Sequence, residues 1–413
     1  MKLKKLSLYC GLALSFSSPT YADITTLEVS SWKGAGAEVA NFPTIIERFE
    51  KANPDIKIKL NYMARNDMVT SIPARFQARN PPDVVMVDRE FIQHWGGNGQ
   101  LIPLNDQPFL NRIKPELIPY LGIDDKTYYA MLQISGMGVF VNNTLFKEAG
   151  ISQYPQTIEE LTQACTKLDS HGVQPMLLAA NNGGWTPFIY FLAMGLANND
   201  KPDHTLINDL MSGKKKFSET QSLKNAFEAF RKMIDAKCFD PKISAGTDPW
   251  SVALTSFQSG KVAMLPQGLW NIGPFQKDQL PENFSLHPFP SINGTKAISL
   301  DYNGPGWAIP KDAKHKEAAK KWIDYWMHDK NLSLYVKADT SISTLKNGTS
   351  GIPPLAKPYE DARDAGNFVT FPVGTLSVEL GADMPNDITS FMLNPKQDYM
   401  KIMQRWDKMV EDK

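Results

Sequence analysis

A chain of 413 residues with 42% hydrophobic and 21% charged residues can bury about three-quarters of its unfolded surface, which excludes a tag or a disordered adaptor. Its 44 basic and 44 acidic residues cancel, and no basic run exceeds Lys214-Lys215-Lys216, so neither nucleic acid nor an anionic membrane is expected as a partner. Length alone suggests two or three domains.

The N-terminus predicts a compartment. Lys2, Lys4 and Lys5 precede a mostly apolar stretch from Leu6 to Phe16, Ser17-Ser18-Pro19 breaks any helix, and Thr20-Tyr21-Ala22 places small residues before Asp23. That pattern predicts a signal peptide over residues 1–22, cleaved after Ala22, and a periplasmic protein. The apolar stretch is far short of the ~20 residues that span a bilayer. Cys10 does not read as a lipidation site, because bulky Tyr9 precedes it. Beyond the leader only Cys165 and Cys238 remain. Cys165 lies on the helical stripe Ile158, Leu161, Cys165, Leu168, and Cys238 follows another such stripe. Two buried thiols are favoured over a bridge, although the compartment permits one.

Thr26 to Trp32 alternates as a strand, and a helix through Ile45, Ile46 and Phe49 ends near Asn53-Pro54. Ile56 to Leu60 is a second alternating strand. A further helix leads to Pro81-Pro82-Asp83 and the continuous apolar run Val84 to Val87. This β-α-β-α-β order, with a last strand apolar on both faces, predicts an open α/β sheet. Ligands bind such sheets outside the carboxyl ends of the strands, where Trp32 and Asp88-Arg89 stand. Next come a strand over Gly138 to Asn142 and a helix over Thr157 to Ser170, with Glu160 placed for a capping box. A strand end over Met176 to Ala180 opens into Asn181 to Trp185 before the apolar helix Pro187 to Ala197. Strands then start after Gly260 and at Gly304. Gln267 to Trp270 caps a new helix, helices carry Trp322, Trp326 and Trp406, and the last runs from Asp398 to Val410.

Five ordered segments carry a resemblance: "RFEKANPDIKI", "PPDVVMVDREFIQHWGGNGQLIPL", "GVFVNNTLFKEAGI", "FQSGKVAMLPQGLW" and "GWAIPKDAKHKEAAKKWIDYW". In this order the chain resembles the extracellular solute-binding protein family of carbohydrate ABC importers (maltose-binding-protein-like), over essentially all of the chain beyond the leader. The resemblance implies two α/β lobes around a ligand cleft, joined by a multi-crossing hinge. It places crossings near Gln133–Gly138, Leu300–Asn303 and Asp339–Leu345. The N-terminal lobe would comprise 23–135 and 301–340, and the C-terminal lobe 136–300 and 341–413. It further implies a carbohydrate ligand, a membrane permease as partner and a monomeric protein. For Trp270 it implies a stacking aromatic at the end of the "GLW" motif.

No nucleophile elbow, Walker loop, HExxH pair or EF-hand loop occurs, and the six histidines are scattered. No enzyme activity, metal or cofactor is therefore expected. The competing class is a secreted polysaccharide-processing enzyme with a carboxylate pair, against which stands the absence of eightfold βα repetition. Six tryptophans (Trp32, Trp95, Trp185, Trp250, Trp270 and Trp307) fall in loops or at element ends, where an indole is wasteful unless something covers it. Sugar rings stack their C–H faces on aromatics and hydrogen-bond to Asp, Glu, Asn and Arg. Trp95, beside three glycines, is the weakest of the six. The candidate ligand-binding set is Trp32, Glu38, Asp88, Arg89, Asn181, Trp185, Trp250, Trp270, Tyr302, Asn303 and Trp307. Gly268 is expected to let a ligand approach the backbone beside Trp270. A polyol or glycerol phosphate is an alternative ligand, but a phosphate needs cationic donors, and only Lys33 and Arg89 stand out. A neutral di- or oligosaccharide is favoured.

Overall fold

The computed structural model describes residues 24–34, 41–181, 183–198, 201–277, 284–292, 294, 296–372 and 374–412. The predicted leader and Glu38 lie outside them. Alternation makes Thr25–Ser31 (β1) a strand with Leu27 and Val29 turned inward. The helix Phe42–Ala52 (α1) starts at a proline-bearing first turn and buries Phe42, Ile45 and Phe49. Ile56–Tyr62 (β2), Arg65–Gln77 (α2) and the fully buried Val84–Val87 (β3) complete the predicted β-α-β-α-β run.

Ala130–Met131 (β4) and the ten-residue strand Gln133–Asn142 (β5) follow. Ile158–Ser170 (α3) carries the expected capping box, with both Thr157 and Glu160 bonds formed. Gln174–Met176 (β6) shares only Met176 with the strand end expected over Met176–Ala180, and Trp185–Gly195 (α4) begins at the indole itself. Gln221–Asp235 (α5), Val262–Gly268 (β7), Phe284–His287 (β8), Ser299–Asn303 (β9) and Gly306–Ala308 (β10) come next. The chain continues through Lys316–Trp326 (α6), Asp329–Ala338 (α7), Ile342–Ser343 (β11) and Lys357–Asp364 (α8). Phe368–Thr370 (β12), Val378–Leu393 (α9) and Tyr399–Glu411 (α10) end it.

Two large sheets result among the described residues, each with its own core. The first has the order β2-β1-β3-β10-β4, with β1 parallel to β2 and β3, and β10 antiparallel to both neighbours. The second has the order β12-β9-β5-β7-β6, and β8 and β11 also pair with β5. The first core gathers Phe42, Phe49, Trp307, Trp322 and Trp326; the second gathers Phe191, Phe227, Phe230 and Trp406 around α4. Asp301–Asn303, expected in the first lobe, pair with β5 in the second sheet.

Three segments run between the sheets, and they are laced at Gln133. Gly304 N–H donates to its carbonyl (3.1 Å), and Ser341 Oγ donates to its Oε1 (2.7 Å). Thr344 Oγ1 donates to the carbonyl of Met131 (2.6 Å) beside them. Gly136 in β5 has no substitute: a Cβ there would fall onto the hydroxyl of Tyr359, which is bonded to the buried Asp301 (2.7 Å).

Cys165 and Cys238 form a disulfide that ties α3 to the end of α5. This corrects the expectation of two thiols. Both sulfurs lie in one core, so residues that read as two separate helical stripes meet there.

Candidate functional site

The ends of β7 and β9 and the start of α4 build an aromatic wall. Trp185 and Trp250 lie 5.1 Å apart between ring centroids, Trp185 and Trp270 6.2 Å, and Trp270 and Tyr302 6.2 Å. Phe371, just after β12, extends the row at 6.3 Å from Tyr302. Successive rings are tilted or edge-on rather than stacked face to face. Trp185, Trp270, Tyr302 and Phe371 are half-buried, and Trp250 is exposed.

Local structure explains how each ring is held. Gly184 adopts a left-handed conformation (φ +65°) before α4, and a Cβ there would collide with the carbonyl of Pro385 in α9. That position needs glycine, and it aims Trp185 out of the helix start. Gly268 works differently from the expectation. The Trp270 indole folds back over it, so a Cβ at Gly268 would occupy the ring. The glycine makes room for the aromatic, not for a ligand.

The first sheet contributes the opposing side. Asp88 follows β3 and is fully buried; its Oδ1 accepts from the backbone N–H groups of Glu90 (3.1 Å) and Phe91 (3.2 Å), capping the short turn that follows. Its Oδ2 accepts from Arg65 Nε (2.7 Å), and Arg65 Nη2 also donates to Glu90 (2.6 Å). The guanidinium lies 4.8 Å over the Phe91 ring, and Trp32 meets the same ring edge-on at 6.0 Å. Burial opposes the charge of Arg65, but the Asp88 and Glu90 carboxylates outweigh it and hold its pKa above the ordinary value. Burial pushes the Tyr302 phenol up as well, and Asp88 and Glu90 add to that effect while Arg65 opposes it. Tyr302 of the second sheet therefore lies close enough to the charged cluster of the first for their charges to be felt.

The remaining expected residues divide. Asn181 is exposed just ahead of Trp185, its backbone N–H bonded to the carbonyl of Thr247 (3.1 Å). Asn303 ends β9 and is nearly buried. Arg89 turns away from the wall: its Nη1 donates to the carbonyls of Tyr120 (3.1 Å) and Gly122 in its own lobe. Trp307 is a correction, because it is 0% exposed and packs among Phe42, Trp322 and Trp326. The strand that bears it sits between β3 and β4, covered on both faces, so the ring is core. Trp95 is core too, stacked on Phe91 at 4.3 Å. Arg65 and Phe371 were not in the expected set. Each stands just beyond a strand end, so the rule that pointed to Trp32 and Asp88 also covers them.

Among the described residues, no group of three His, Cys, Asp or Glu side chains is arranged to hold a metal ion, and no helix is long and apolar enough to cross a membrane. The arrangement can stack apolar ring faces on one side and offer hydrogen-bond partners on the other.

The family of bacterial extracellular solute-binding proteins matches residues 34–331. An ABC transporter extracellular-binding protein of Pyrococcus horikoshii is 27% identical over 320 residues, covering 75% of this chain and 69% of the relative. The multiple sugar-binding protein of Streptococcus mutans is 24% identical over 336 residues, 77% of this chain and 76% of the relative. A solved chitin oligosaccharide binding protein shares the fold with a TM-score of 0.78 at 19% identity, over 94% of this chain and 99% of that one.

Proposed function

The chain belongs to the bacterial extracellular solute-binding protein family, and we propose from that premise that it is the periplasmic carbohydrate-binding component of an ABC importer. In this proposal a neutral di- or oligosaccharide lies on Trp185, Trp270 and Tyr302 and takes hydrogen bonds from the Arg65 side of the cleft. The three crossings laced at Gln133 act as the hinge, and the closed form docks on the membrane permease. The periplasmic location rests on the family and on the N-terminal pattern of residues 1–22. The observation that supports the sugar is the row of half-buried rings near a charged cluster of the other sheet. Aromatic faces bind sugar C–H faces while polar groups fix orientation.

Charge accounting supports a neutral ligand. Arg65 is paired with Asp88 and Glu90, Lys33 with Asp339 (2.8 Å), and Arg89 with backbone carbonyls. Arg65 and Lys33 are thus already neutralised by carboxylates, and of the three only Arg89, whose buried Nε has no partner among the described residues, keeps an uncompensated charge that a phosphate could use. Closure follows from differential contacts: a sugar touching both sides stabilises only the closed arrangement.

A thermal-shift panel of neutral oligosaccharides, glycerol phosphate and amino acids tests this. At 100 times its dissociation constant a ligand stabilises the fold by about 2.7 kcal/mol. The proposal expects that stabilisation from neutral sugars. A shift from amino acids alone, or cleavage of the sugars at a catalytic rate, contradicts it.

A further inference from the structure

Trp250 differs from the rest of the wall, since it is 51% exposed while its neighbours are half-buried. An indole left in water is held there only with help, and the help is visible. Asp248 Oδ1 accepts from the backbone N–H groups of Trp250 (3.0 Å) and Ser251 (2.7 Å) and from Ser251 Oγ (2.8 Å), which fixes the turn. The fully buried Gln267 donates through Nε2 to the carbonyl of Pro249 (3.0 Å), while its Oε1 accepts from Gly268 N–H (2.9 Å). One side chain thus pins both the turn that presents Trp250 and the strand end that presents Trp270. A rigidly mounted, solvent-facing aromatic is a preorganised platform, whose ordering cost is met before binding.

Centroid steps of 5.1, 6.2 and 6.2 Å lead from Trp250 through Trp185 and Trp270 to Tyr302. Each step is comparable to the advance of one pyranose unit along a glycan. A disaccharide on Trp270 and Tyr302 would leave Trp250 in water, and only a longer chain covers it. Building on the carbohydrate reading above, we infer that the cleft is open-ended at Trp250, which serves as the platform for a third or later sugar unit, so that the preferred ligand is an oligosaccharide rather than a disaccharide. Gln267 is the positioning residue for that platform.

Dissociation constants measured over soluble ladders, from disaccharide to pentasaccharide, of α-1,4-linked glucose and β-1,4-linked N-acetylglucosamine test this. For the ladder that binds, wild-type affinity should rise roughly ten-fold or more from disaccharide to tetrasaccharide, the scale of one aromatic contact. In Trp250→Ala that ratio should collapse toward one, and Trp250→Phe should restore part of it. Gln267→Met should lower the same ratio without touching ligand, with melting curves confirming that it folds. A flat wild-type ladder, or an equal loss at every length in Trp250→Ala, overturns the inference while leaving sugar binding intact. Normal binding at all lengths by Trp250→Ala, with loss of import in a reconstituted transporter, also overturns it and assigns Trp250 to the permease. Absence of binding to any glycan overturns the carbohydrate reading itself, and this inference with it.

Discussion

Replacing Trp270 by alanine separates a ligand platform from a core residue. The ring folds over Gly268 and meets Trp185 and Tyr302 at 6.2 Å each, but it is only half-buried. Two such aromatic contacts are worth ~0.5–1.5 kcal/mol each beyond area. Trp270→Ala should therefore lower apo stability by about 1–3 kcal/mol, less than a core tryptophan. If the ring stacks on sugar, binding should weaken by about 2–4 kcal/mol, the range of an aromatic hot spot, or roughly 30- to 1,000-fold. Trp322 is the control. It is 0% exposed and packs against Phe49 at 5.0 Å and Trp326 at 5.6 Å, so Trp322→Ala should cost about 3–5 kcal/mol of stability. Whatever Trp322→Ala folds should still bind sugar. Calorimetric titration with an oligosaccharide, paired with denaturant melts of both variants, reads the two quantities separately. If Trp270→Ala binds normally and unfolds as early as Trp322→Ala, the ring is packing and the stacking assignment is wrong.

The bond between Cys165 and Cys238 spans 73 residues of sequence, and removing it with paired serines should cost about 2–4 kcal/mol. Melts with and without reductant check this, and reductant should have no effect on the double variant. Burial holds the imidazole of His287, stacked on Tyr154 at 4.3 Å and bonded to Ser285 Oγ at 2.8 Å, down to about 4 from an ordinary 6.5. A depressed imidazole gives its stability fully above pH 6.5 and loses it as pH falls toward 4, a contribution of at most about 3 kcal/mol. Stability measured from pH 7 to 4 should fall more gently in His287→Gln than in the parent, and parallel curves would refute the assignment.

Local patterns made the fold legible. Alternation marked β1 and β2, the apolar run marked β3, and Thr157 with Glu160 marked the start of α3, since each signal depends on neighbours in sequence. Trp185, Trp250, Trp270 and Tyr302 stand at element ends and meet in one row of rings, but element-end position alone does not separate them from Trp95 and Trp307, which are core. Trp307 misled for a tertiary reason: Gly304-Pro305-Gly306 reads as a loop, yet the residue enters a strand inserted between β3 and β4. Pairing between Cys165 and Cys238 depends on how α3 and α5 pack, and sequence periodicity carries no record of that. Asp88 was found as a polar residue at a strand end. Its use as a cap and as the anchor of Arg65 depends on α2 packing beside it.

Small-angle X-ray scattering of the protein, with and without the neutral oligosaccharide giving the largest thermal shift, tests the central claim that a sugar is held between two closing lobes. Saturating ligand should reduce the radius of gyration while the far-ultraviolet circular dichroism stays unchanged, as expected if the crossings at Gln133 turn and the two sheets move as units. Superimposable scattering curves in the presence of demonstrated binding would contradict closure and place the sugar on a rigid surface instead.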